Sequence, residues 1–164
     1  VLLFIIMVVL PLSLFAGRFG ISLGMFDAQH DSALFADGTH AQAGLVAGIA
    51  PRWEGELFVI ASATPEPLSE TLGGLGFSYA LMGPIHDKAD EVPTYATAYV
   101  SGGFMADFDA FSSYGPYVRF TPLSVGGPQF RLRERTLSFG AYYNIPDRSV
   151  TLFWNVFHLD FFLD

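Results

Sequence analysis

The chain has no cysteine and a single lysine, Lys88. The missing cysteine excludes disulfides, thiolate metal sites and a lipid-modified anchor. The scarcity of lysine is unusual beside seven arginines, because soluble domains cover their water-facing surface with mixed Lys/Glu charge. Charged residues amount to only 15% and sum to a formal −8, so no basic face is on offer to nucleic acid phosphates. At 164 residues there is room for one domain.

Against those absences stand a hydrophobic fraction of 51% and 17 phenylalanines. The run VLLFIIMVVLPLSLFA over residues 1–16 has the length of a secretory h-region with its cleavage segment, and it is short for a membrane-spanning helix. It predicts a signal peptide removed near Ala16 and a mature domain over 17–164.

The most informative stretch is LGGLGFSYALM, residues 72–82. Leu75, Phe77, Tyr79 and Leu81 alternate with Gly74, Gly76, Ser78 and Ala80, the period of two that marks a strand with unlike faces. A half-buried strand of a soluble sheet carries charged or polar residues opposite its apolar face. Here the opposite face is tiny. Large side chains outward and small ones inward suit a narrow barrel in lipid, where the outside meets hydrocarbon and the lumen is crowded.

Seven further segments repeat the alternation. They are residues 18–27, 40–50, 53–64, 94–105, 113–124, 134–144 and 149–163. Phe19, Ile21 and Leu23 mark the lipid face of the first, as Leu75, Phe77, Tyr79 and Leu81 do for the fourth and Leu137 and Phe139 for the seventh. The last segment changes phase: Val150, Leu152 and Trp154 are even, Phe157, Leu159 and Phe161 odd. One extra residue near 156–157, a β-bulge, puts both sets on one face. The expected fold is therefore all-β, an eight-stranded antiparallel up-and-down transmembrane barrel with strands of the length a tilted crossing needs.

Parity also assigns an interior. Glu54, Glu56, Arg119, Glu134, His158 and Asp160 fall on inward positions, in a lumen only wide enough for side chains to fill. Unpaired charges there are costly, so Arg119 is expected to bridge Glu54 or Glu56. Outside the strands, Asp27, Asp31, Asp37, Glu66, Glu70, Asp107, Asp109 and Asp147 gather on one set of loops, assigned to the cell exterior. Arg131, Arg133 and Arg135 join the opposite rim, as a basic partner-binding edge or as an interfacial stretch.

The GRFGISLGMF opening, the glycine-interrupted hairpins and the aromatic segment FWNVFHLDFFL resemble the small eight-stranded outer-membrane proteins of Gram-negative and spirochaetal bacteria. The resemblance is one of pattern over residues 17–164 and rests on no diagnostic motif. It implies an outer-membrane location, contact with outer-membrane lipid and delivery by the barrel-assembly machinery.

Three functions fit these readings. The first is a structural or surface-interaction barrel with a filled lumen, not a wide diffusion pore, offering its acidic loops to an extracellular ligand. The second is a lipid acyl hydrolase or acyltransferase, for which His30 and Ser32 are the catalytic candidates; adjacent loop residues point apart, and a solvated polar loop is the plainer reading of His30-Asp31-Ser32. The third is a soluble lipocalin-like carrier, which needs its apolar face inward and is opposed by the Gly/Ser character of the inner positions. No metal or cofactor is called for, since the four histidines lack ligand spacing to one another.

Overall fold

The computed structural model describes residues 18–29, 38–50, 52–62, 71–81, 97–108, 111–127 and 131–163. The leader segment 1–16, with Ala16, lies outside them, as do His30 and Ser32. The described chain is all antiparallel strand: β1 (Arg18–Gln29), β2 (Gly38–Ala50), β3 (Trp53–Ser62), β4 (Leu72–Ala80), β5 (Thr97–Asp107), β6 (Tyr114–Gly127), β7 (Leu132–Thr136), β8 (Phe139–Asn144) and β9 (Ser149–Leu163). From β1 to β6 each strand pairs with its neighbours in sequence, and β9 returns to pair with β1, which closes the sheet. Both β7 and β8 bridge β6 to β9, so they are two halves of one stave. The barrel has eight staves, as the alternation predicts.

The division of the seventh stave has a local cause. Leu137 adopts a left-handed φ of 52°, and an extra residue enters the stave there. Matching insertions lie alongside. In β6 the register jumps from Tyr99↔Thr121 to Thr97↔Ser124, and in β9 from Phe26↔Asn155 to Met25↔Phe157, leaving Val156 as the extra residue. Pro122 sits inside the β6 insertion, where its missing N–H leaves no ladder donor unmet. Three neighbouring staves thus reverse their in/out phase together.

Small residues on the inner wall are seats for large ones from nearby staves. Phe58 and Phe153 are the direct cross-strand partners of Gly74 and Gly140, and Tyr117 reaches Gly76 over β5. A side chain at Gly74 would strike the Phe58 ring, one at Gly76 the Tyr117 hydroxyl, and one at Gly140 the Phe153 ring. On the outside, the Phe108 ring lies over Gly73 in the same way. These contacts account for the glycines in LGGLG: any Cβ there competes with an aromatic ring for one space.

The lumen is layered. Phe26, Ala28, Phe58, Ile60, Leu72, Met105, Tyr117, Tyr142 and Phe153 form an apolar layer toward the 108–113 loop and the 145–148 turn. Charged residues occupy the other half, and Val46 pairs with Phe162 beyond them. Gly74→Val is expected to cost about 1–3 kcal/mol by overpacking, read from urea unfolding of the refolded protein in detergent. Adding Phe58→Ala to it should recover part of the loss; two independent, additive losses would mean that ring and glycine do not share a site.

Candidate functional site

Beneath the apolar layer lies a network of six charged side chains. Glu54 and Glu56 come from β3, Arg119 from β6, Arg133 and Arg135 from β7, and Asp160 from β9, all of them buried. Alternation explains the paired members: residues i and i+2 of one strand share a face, so Glu54 stands beside Glu56 and Arg133 beside Arg135. The phase reversal explains why β7 and β9 contribute at all, since it turns Arg133, Arg135, His158 and Asp160 inward while Leu137, Phe139 and Leu152 still face out.

Arg133 is held through its Nε and Nη1. Its Nε donates to Asp160 Oδ2 at 2.7 Å, and its Nη1 donates to Glu54 Oε1 at 2.7 Å and to the Tyr99 hydroxyl at 3.0 Å. Its guanidinium also lies 5.1 Å from the centroids of both Tyr99 and Phe162, a cation–π arrangement on two rings. Arg135 donates from Nε to the same Asp160 oxygen at 2.9 Å and from Nη1 to Glu56 Oε1, while its Nη2 stands 3.6 Å from Glu54 Oε2. Arg119 donates from Nη2 to Glu56 Oε2 at 2.5 Å. Ser78 donates to Glu56 Oε1 at 2.7 Å and lies 2.7 Å from Ser101 Oγ, so hydroxyls from β4 and β5 complete the ring of partners.

His158 joins through Asp160. Its Nε2 is 3.1 Å from Asp160 Oδ1, and its Nδ1 is 3.3 Å from Asn155 Nδ2. An amide nitrogen is a donor, so a neutral ring carrying its proton on Nε2 satisfies both contacts. Three guanidinium groups then face three carboxylates, and the network is electrically balanced. Balance matters here, because each ion taken out of water costs several kcal/mol and only good geometry offsets it.

Of the residues assigned to the interior by parity, Glu54, Glu56, Arg119, His158 and Asp160 meet in this network. Glu134 does not. It is exposed on the outer wall beside Thr136, whose hydroxyl is 3.4 Å from its Oε1, because the insertion at Leu137 inverts the phase of β7. Arg133 and Arg135 take the inner positions instead, and neither forms part of an exposed basic rim. Parity alone carries no signal for them, since residues 133–135 are charged on both faces and offer no apolar set to fix the phase.

On the outer wall, Ile21, Leu23, Leu75, Phe77, Leu81, Leu137 and Phe139 are exposed, while Phe19 is half-buried and Tyr79 packs on Trp53 with centroids 4.9 Å apart. At the loop end, Asp27 accepts from Thr39 at 3.0 Å, and Asp147 accepts from Asn144 at 2.7 Å. Asp107, counted above with the displayed acids, is buried and accepts from Ser112 at 2.9 Å.

The arrangement ties staves together and fills the lumen; every carboxylate in it is committed to arginine. Arg133→Ala would strand Glu54 and Asp160, with an expected cost of about 3–5 kcal/mol. Arg119→Ala should cost less, since Glu56 keeps Arg135 and Ser78. Glu134→Ala should stay within about 0.5 kcal/mol. Unfolding midpoints in detergent check this order, and a Glu134 loss equal to that of Arg133 would refute it. No protein-family model matches the chain, and no curated protein is detectably similar to it in sequence.

Proposed function

We propose that the chain is a small outer-membrane β-barrel with a side-chain-filled lumen, serving a structural or surface-interaction role and not acting as a wide diffusion pore. The observation that carries this reading is inverted polarity. Six charged side chains are buried inside, whereas large apolar ones stand in the open around the wall, among them Val118 at 60%, Leu152 at 54% and Phe77 at 51% exposure. Soluble monomers rarely expose apolar patches beyond a few hundred Å². A closed barrel with an apolar outer belt is one of the two structures whose backbone groups are all satisfied in hydrocarbon.

The same polarity disfavours a lipocalin-like carrier, whose apolar face must line a ligand cavity. For catalysis through His30 and Ser32 no geometry speaks. In this reading residues 1–16 are an export leader cut near Ala16, outer-membrane lipid surrounds the wall, and the barrel-assembly machinery inserts it. The 28–39, 65–71, 106–112 and 145–148 connectors are then the face that meets an extracellular ligand.

Cell fractionation followed by a gel run with and without boiling tests the class. The protein should sediment with outer membranes, need detergent for extraction, and migrate faster unheated. Recovery in the soluble fraction without detergent would overturn the proposal. In a planar bilayer the wild type should show no steady conductance; large, stable channels would contradict the filled lumen. Leu75→Arg, midway along β4, should cost about 2–4 kcal/mol if the wall faces hydrocarbon.

A further inference from the structure

The geometry points to a binding site for one water molecule at the boundary between the charged network and the apolar layer. A cavity of about 10 Å³ lies there, lined by Gln42, Phe58, Met105, Tyr117, Arg119 and Phe153 among others. That is about the space one water needs. Its lining is mostly apolar, with polar groups from Tyr117 and Arg119 of β6 on one wall and Gln42 of β2 on the opposite wall.

Two of those groups have no partner among the described residues. The Tyr117 hydroxyl and Arg119 Nε are both buried, in side chains less than 5% exposed, and neither has a hydrogen bond to another described residue. Arg119 is anchored through Nη2 to Glu56, which fixes where its Nε points. Tyr117 is clamped as well: its hydroxyl abuts Gly76, and the Phe58 ring stands edge-on to it, 5.5 Å between centroids at 78°. Neither group can swing away to find another partner without breaking those contacts.

The chemistry selects the ligand. An arginine Nε–H only donates, so the guest must accept a hydrogen bond; a tyrosine hydroxyl can also accept, so the guest can donate in return. A carboxylate or phosphate is too large for the space, and an anion would add charge to a network that already balances. Water fits on both counts. It accepts from Arg119 Nε, donates to Tyr117 Oη, and has the Gln42 amide as its third partner, within the two to four bonds usual for a buried water. The bound water would extend the network from Glu56 through Arg119 to β2, a stave that the direct ion pairs do not reach.

A crystal structure of the detergent-solubilised protein, at a resolution that orders water, should show a density peak within hydrogen-bond distance of both Tyr117 Oη and Arg119 Nε. The sign of the Tyr117→Phe effect provides an independent reading. With water present, removing the hydroxyl deletes a hydrogen bond and Tm should fall by a few degrees. In a dry gap the hydroxyl is a buried orphan, and its removal should raise Tm. No density, or a Tyr117→Phe protein melting at or above the wild type, overturns the inference. Neither measurement depends on where in the cell the barrel resides.

Discussion

A closed eight-stave sheet leaves a lumen too narrow for hydrated ions, and the rest of this structure follows from that constraint. Any charge that points inward must find its counter-charge on a facing strand, at hydrogen-bond distance, or lie buried and unpaired. Glu54, Glu56 and Asp160 meet that demand through Arg119, Arg133 and Arg135. The pairs join strands far apart in sequence, 79 residues for Arg133 with Glu54 and 63 for Arg119 with Glu56. Such pairs add specificity more than raw stability, since apolar residues of the same shape would fill the lumen at no desolvation cost. What they forbid is slippage. A one-residue shift of β3 or β7 sends a carboxylate or guanidinium to the apolar outer wall.

That sensitivity makes the line of insertions across β6, the seventh stave and β9 a necessary part of the design. The three staves stay in step with one another because each carries one extra residue. They change step against β5 and β1, whose ladders absorb the shift at Thr97/Tyr99 and Met25/Phe26. Above the line the inward positions are Tyr117, Arg119, Thr121, Ser138, Gly140, Phe153 and Asn155; below it they are Ser124, Arg133, Arg135, His158 and Asp160. Thr121 and Ser138 close the line from inside, their hydroxyls 2.7 Å apart, and the Asn155 backbone N–H donates to the Ser138 backbone carbonyl at 2.7 Å. An insertion in one stave alone would have put that stave out of register with both neighbours.

Much of this was readable from residue parity. The number of staves, the wall positions of Leu75, Phe77, Leu137 and Phe139, and the insertion near residue 156 all follow from where large apolar residues recur. The last is legible because full apolar sets lie on both sides of it, Val150-Leu152-Trp154 and Phe157-Leu159-Phe161. In the seventh stave the lower half offers only Leu132 as a wall marker, followed by charges at every position through Arg135. Hydropathy cannot tell an inward arginine from an outward glutamate, so Glu134 is drawn into the lumen by extrapolating the phase of Leu137 and Phe139. The apolar layer is hidden for the opposite reason. Phe58 and Ile60 continue the face that begins with Glu54 and Glu56, so β3 is apolar on both sides at its loop end and parity there carries no contrast.

The juxtaposition of those two layers has its own physical logic. Ion pairs gain strength when water is kept away, but the ions pay for it in lost solvation unless every partner is in place beforehand. Seating Phe58, Tyr117 and Phe153 on Gly74, Gly76 and Gly140 lets bulky rings lie against the wall and fill the layer next to the arginines. Glycine weakens a strand, and three in the inner wall would be a poor choice for a sheet judged by propensity alone. Here the missing side chains are supplied by neighbouring staves. The rings bring more apolar contact than an alanine or serine at each site would have, and they stand beside Arg119, whose carboxylate partner is already in reach. Wall composition, lumen packing and charge pairing are therefore one problem: enlarging Gly74, Gly76 or Gly140 displaces a ring that packs beside the charged network.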